Sequence, residues 1–121
     1  MAQILVVDDD ASVRGFTARA LTLDGHTVDE ADDGDLALEQ IAERAGAYDL
    51  VLSDIRMPAM DGIAMARNAV KDFPDLRILL MTGYAEQRER AADVDKIVID
   101  VVSKPFTLAA IRGAVNEALA A

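Results

Sequence analysis

Five short apolar runs punctuate this chain: "ILVV" at 4–7, "TVDEA" at 27–31, "DLVLS" at 49–53, "RILLM" at 77–81 and "KIVIDVVS" at 96–103. Most are a nearly continuous series of Val, Ile and Leu. A strand buried on both faces reads this way, because neither side of its pleat meets water. The second run alternates instead, which places it nearer a sheet edge. Helical patterns lie between the runs. Residues 12–23, starting at Ser12, carry Val13, Phe16, Ala20 and Leu21 on one face, and "DGH" at 24–26 stops them. Residues 35–45 carry Leu38, Ile41, Ala42 and Ala45 and end at Gly46. Residues 62–72 carry Ile63, Ala66, Ala69 and Val70. Residues 107–119 carry Leu108, Ile111, Val115, Ala118 and Leu119, with Thr107 as N-cap. The segment 85–94, "AEQRERAADV", is polar and helix-forming with a thin apolar face. Strand and helix thus alternate five times. That order predicts an α/β sandwich around a parallel sheet with right-handed crossovers.

The 121 residues make one ordinary domain, read as a single unit over 1–121. Apolar residues are 52% of the chain and aromatics only 4%, so the core is expected to be Leu, Ile, Val, Ala and Met. With no cysteine, disulfides and thiolate metal sites are excluded, and a reducing cytoplasm is the expected compartment. No signal peptide is visible, and no apolar run approaches the roughly 20 residues that span a bilayer. A net charge of −10 repels phosphate backbones and argues against a nucleic-acid partner.

Parallel α/β sheets bind ligands beyond the carboxyl ends of their strands, where the strand order reverses. After the first strand come Asp8, Asp9 and Asp10; after the third, Asp54; after the fourth, Thr82; after the fifth, Ser103 and Lys104. Each alone has a plainer reading: an acidic cap and solvated turn, a loop cap, a turn hydroxyl, a solvated lysine. Together they put carboxylates, a hydroxyl and an ammonium at one crevice. Carboxylates without cysteine or a nearby histidine suit a hard, oxygen-liking cation. Mg2+ takes one or two carboxylates, keeps waters and accepts phosphate oxygens. Asp54 is then an oxygen nucleophile toward a phosphoryl group, with Thr82 and Lys104 as donors to its oxygens.

The stretches "ILVVDDDASVR", "DLVLSDIRMPAMDG", "LLMTGYA" and "VVSKPF" resemble the receiver domains of two-component response regulators, the CheY-like family, over essentially the whole chain. The resemblance implies a flavodoxin-like (βα)5 fold with sheet order 2-1-3-4-5. It implies phosphorylation of Asp54 by a histidine kinase or histidine phosphotransfer protein. Asp9 would hold Mg2+ directly and Asp8 largely through water, with the backbone carbonyl of Arg56 and Asp54 completing the protein ligands. Asp10 stays outside that shell. Thr82 would bond the phosphoryl group and shift with it, Lys104 would pair with a phosphoryl oxygen, and Lys104–Pro105 would be cis. The domain would be a phosphoacceptor with slow self-dephosphorylation rather than an enzyme. Its output would be a population shift around Thr82 and the fifth strand.

Three features depart from the family pattern. Val101 stands where an aromatic often couples to the threonine. The resemblance implies that the positions held here by Tyr84 and Arg56 tune phosphoryl lifetime. Apolar "KIVI" at 96–99 replaces a glycine-containing loop; it either extends the fifth strand or offers a partner patch. The wording "LLMTGYAEQRERA" with an "ALAA" end looks most like stand-alone regulators of the CpdR type, adaptors for the ClpXP protease; a kinase modulator or phosphorelay shuttle is the other expectation. Leu119-Ala120-Ala121 resembles a protease-recognised tag, or is simply a helix end. A rival reading takes "DDDAS" as the D-x-D-x-S motif of a haloacid-dehalogenase-like phosphatase, with Asp8 as nucleophile and Asp10 as acid/base.

Overall fold

The computed structural model describes residues 2–57, 60–82, 100–103 and 107–120. Their elements are β1 (Gln3–Val7), α1 (Ala11–Leu23), β2 (Thr27–Ala31), α2 (Gly34–Glu43), β3 (Leu50–Asp54), α3 (Gly62–Asp72), β4 (Ile78–Thr82), β5 (Asp100–Ser103) and α4 (Leu108–Ala120). The five strands form one parallel sheet in the order β2-β1-β3-β4-β5. The alternating run is edge strand β2, and the continuous runs of β1, β3 and β4 lie inside. The expected helix at 85–94 and the "KIVI" stretch lie outside the described residues.

The pleat explains the continuous runs. Leu5, Val7, Val51, Ile78 and Leu80 face one layer, against Ala37 and Ile41 of α2 and Ile63, Met65, Ala66 and Ala69 of α3. Ile4, Val6, Leu50, Leu52, Leu79 and Met81 face the other, against Ala20 and Leu21 of α1 and Ile111, Val115 and Ala118 of α4. Both sides of each inner strand are covered, so both sets must be apolar.

Several helix details differ from the sequence reading. The first helix starts at Ala11, not Ser12, because Asp10 is its cap: its Oδ1 accepts from the N–H groups of Ser12 (2.9 Å) and Val13 (3.2 Å). Phe16 is 44% exposed; α1 packs through Ala20 and Leu21 as expected, and through Thr17 and Ala18, which the sequence reading left out. Small residues let this helix sit close to the sheet, and the Thr17 hydroxyl is satisfied by the Val13 carbonyl at 2.8 Å. Ala42 and Ala45 are exposed, and Ala37 joins Ile41 in the core. The helix has ended at Glu43, and the chain reverses through Ala45 and Gly46 at positive φ, with the Gly46 N–H donating to the Ile41 carbonyl at 2.9 Å. Leu108 is 41% exposed at the open start of α4. Thr107 caps that helix as expected, its Oγ1 accepting from the Ala110 N–H at 3.0 Å. At its far end the Leu119 carbonyl accepts from Arg77 at 3.0 Å. Ala121 lies outside the described residues.

At the end of the sheet away from the acidic turns, the Tyr48 hydroxyl donates to Asp29 at 2.7 Å, and Arg44 pairs with the same carboxylate at 2.8 Å. Burial, with the Asp29 carboxylate beside it, pushes the Tyr48 phenol up to about 12. A raised folded value means the neutral phenol is favoured by folding. Its contribution is therefore whole below the ordinary value near 10 and is lost as pH rises toward 12. Absorbance titration should show a late phenol that Tyr48→Phe removes; an unchanged titration curve in that variant would refute the assignment. Leu52→Ala should cost about 2–5 kcal/mol in urea unfolding, since Leu52 is fully enclosed between β3 and the α1–α4 layer.

Candidate functional site

Register brings the strand ends together. Val7 is level with Ser53, Asp54 with Met81, and Thr82 with Ser103. The order of strands reverses at β1, which has β2 on one side and β3 on the other, so a crevice opens beyond β1 and β3. Asp8 follows β1 and is fully buried, Asp9 is exposed, and Asp54 is 6% exposed. Asp54 and Thr82 are the last residues of their strands rather than the first beyond them. One carboxylate oxygen from each of Asp8, Asp9 and Asp54 lies within 4.8 Å of the others.

Backbone bonds hold the first turn in place. The Asp8 N–H donates to the Ala31 carbonyl of β2 at 3.1 Å, and the Asp10 N–H donates to Asp8 Oδ1 at 3.0 Å. The Asp10 carboxylate is turned to its own helix as the cap, which agrees with its place outside the cluster. It is thus poorly set to act as the acid/base of a phosphatase.

The second turn is held from below. The Ser53 hydroxyl donates to the Asp54 carbonyl at 2.9 Å, and the Ile55 N–H donates to the Met81 carbonyl at 3.0 Å. The chain then doubles back, and the Gly62 N–H donates to the Ile55 carbonyl at 2.8 Å. A Cβ on Gly62 would stand 2.2 Å from the Asp54 carbonyl oxygen. Only glycine lets α3 begin directly against the backbone of Asp54. Asp61 caps this helix, accepting from the Ala64 N–H at 2.8 Å.

Two unit charges about 5 Å apart repel by roughly 3 kcal/mol at an effective dielectric near 20. Three carboxylates drawn together are therefore an unfavourable arrangement by themselves, and a cation relieves it. The donors are all carboxylate oxygens, with no imidazole or thiolate, so a hard divalent ion fits the set.

The other expected site residues divide by position. Thr82 is buried at the end of β4, beside β3. Arg56 is two residues past Asp54 with an exposed side chain. Val101 lies in β5 level with Leu80. Lys104, Pro105 and Tyr84 lie outside the described residues. Two supporting residues were not singled out by sequence reasoning. Gly62 had a signal, a glycine at the first position of an apolar helix. Arg14, whose guanidinium donates to the Asp8 carbonyl at 2.8 Å, had none in its spacing.

Residues 4–116 match the family model described as the response regulator receiver domain. The chain is 39% identical to the response regulator receiver protein CpdR of Brucella abortus, over 97% of this chain and 93% of that protein. It is also 39% identical to the sensor kinase CckA of the same organism, over 98% of this chain but only 12% of the kinase's length. Among solved structures it is similar to the response regulator protein TrrA from Thermotoga maritima in complex with Mg2+-BeF. There the TM-score is 0.87 and the identity 31%, covering 98% of this chain and 99% of that one. The match sets aside the reading as a haloacid-dehalogenase-like phosphatase. No helix among the described residues is long and apolar enough to cross a membrane.

Two glycine substitutions separate close approach from helix propensity. Gly62→Ala should lose about 1–3 kcal/mol in urea unfolding, because backbone must move. Gly113→Ala, where an added Cβ meets nothing within 4 Å, should gain about 0.5–1 kcal/mol. Equal effects at the two positions would contradict the close-approach account.

Proposed function

The chain belongs to the response regulator receiver domain family, and on that premise we propose that Asp54 takes up a phosphoryl group at a Mg2+ site made with Asp8 and Asp9. Phosphoryl acceptance is general to the family. The observation that carries the assignment is the meeting of these three carboxylates within 4.8 Å at the ends of β1 and β3. Asp8, Asp9, Asp54 and the Arg56 carbonyl would hold the ion, which when bound would neutralise charge on the phosphoryl oxygens. The complex of TrrA with Mg2+-BeF supports this reading by similarity.

In the proposed step an Asp54 carboxylate oxygen attacks the phosphorus of a phosphohistidine. The new P–O bond forms as the P–N bond breaks, and the leaving imidazole nitrogen keeps the electron pair and takes a proton from water. Thr82, at the end of the neighbouring strand, donates its hydroxyl hydrogen to a phosphoryl oxygen, and Lys104 pairs with another. Hydrolysis later reverses the modification: water oxygen joins phosphorus, and the carboxylate leaves with its electrons. The group modified is the domain's own Asp54 and its removal is slow, so the domain is read as a signalling switch rather than an enzyme.

Similarity to CpdR over 97% of this chain supports its reading as a receiver unit, and the proposal places that unit in the cytoplasm. Its phosphorylation switches binding of a protein partner, with the domain acting as an adaptor for a protease such as ClpXP, as a modulator of a kinase, or as a phosphorelay shuttle. The similarity to part of CckA supports a histidine kinase or phosphotransfer protein upstream. Neither nucleic acid nor membrane enters the proposal.

Incubation with acetyl phosphate and Mg2+, followed by intact mass, should add one phosphoryl group to the wild type and none to Asp54→Asn. A variant still modified would move the acceptor elsewhere. Arg56→Ala and Tyr84→Ala should change the rate of phosphoryl loss by several-fold, more than they change Mg2+ affinity. Wild-type lifetimes in both would remove their tuning role.

A further inference from the structure

The buried Asp8 has its backbone carbonyl engaged by a side chain six residues on. Arg14 rises from the first turn of α1, and one guanidinium nitrogen donates to the Asp8 carbonyl oxygen at 2.8 Å. Its Nε donates to Glu30 Oε1 of edge strand β2 at 3.2 Å. On the other side of Glu30, the Gln40 amide of α2 donates to that residue's backbone carbonyl at 3.2 Å. One planar fork therefore ties the acidic turn to β2, and β2 is tied in turn to α2.

The ion pair itself is a weak reason for this arrangement. Its side chains are 20% and 46% exposed, and pairs of that kind contribute about 0–1 kcal/mol. What Glu30 does is aim the guanidinium. A lysine at this position would carry the same charge but offers a point donor, unable to bond both groups in one plane. Bonds among the described residues that fix the Asp8 turn include its N–H to Ala31, its carbonyl to Arg14, and its Oδ1 from Asp10.

We propose that Arg14, aimed by Glu30, is a positioning residue that holds Asp8 in the geometry required by the divalent cation. This rests on the Mg2+ site proposed above. Groups that orient metal-ligating residues without touching the metal usually change affinity by about 10–100-fold when removed. Electrostatics alone predicts the opposite sign. Removing a cation beside three carboxylates makes their field more negative and should tighten Mg2+ binding. The two accounts therefore differ in direction.

Calorimetric titration of the full chain with Mg2+ alone, at fixed ionic strength, decides between them. Arg14→Ala should weaken binding about tenfold, and Arg14→Lys should restore only part of it. Glu30→Gln removes an anion and weakens binding in any background, so its informative reading is the coupling: the loss should be about threefold larger in the wild type than in Arg14→Ala, because Glu30 acts through the guanidinium. A role confined to stability would lower the unfolding midpoint and leave the affinity of the folded protein unchanged. If Arg14→Ala fails to fold by circular dichroism, Arg14→Lys carries the test: its charge is kept, so electrostatics predicts an unchanged affinity, whereas loss of the planar fork should weaken binding about threefold. Unchanged or tighter binding in the folded variants overturns the inference alone. A wild type that does not bind Mg2+ overturns the site itself, and the inference with it.

Discussion

Repulsion among Asp8, Asp9 and Asp54 is the constraint on which the rest of this structure bears. Unconnected carboxylates would move apart, since each pair at about 5 Å costs roughly 3 kcal/mol at an effective dielectric near 20. Here they cannot, because two are fixed to the ends of adjacent parallel strands. The register of β1 with β3 sets their spacing, and that register is fixed by apolar side chains on both faces of the sheet. A one-residue slip would turn every one of those side chains to the other face. Packing energy in the two layers thus maintains an acidic cluster that is unfavourable taken by itself.

The backbone around the cluster is arranged to the same end. Asp8 is held by bonds through its own N–H, carbonyl and carboxylate, which leaves the turn little freedom. Asp54 is closed in by Gly62, and any side chain there would strike its carbonyl. A site held this rigidly needs little reorganisation when a cation or a phosphoryl group arrives. Asp10 shows the converse: its carboxylate is committed to the α1 N–H groups. Three adjacent aspartates therefore have two kinds of task.

The sequence made the strands legible because burial on both faces leaves continuous apolar runs, and it made the acidic cluster legible because those runs end in aspartate. The β2 edge was legible for the same reason, as "TVDEA" is the one run that alternates. The helix faces were less so. Stripes drawn through apolar residues put Phe16 and Leu108 inside along with Ala20 and Leu21, whereas two of the close-packed positions of α1 belong to Thr17 and Ala18. Small residues carry little hydropathy signal, yet they are what lets a helix approach a sheet. Arg14 was invisible because its partners, a backbone carbonyl and a carboxylate on another strand, are long-range and leave no periodicity.

The most direct test of the acidic cluster as a cation site is its coupling to folding. A ligand that binds only the native state raises stability by RT ln(1 + [L]/Kd). Urea unfolding with and without Mg2+ should show a clear gain for the wild type and almost none for Asp9→Ala. Asp10→Ala should start lower, from the lost cap, yet keep the wild-type gain. The same Mg2+-dependent gain in all three proteins would contradict the account.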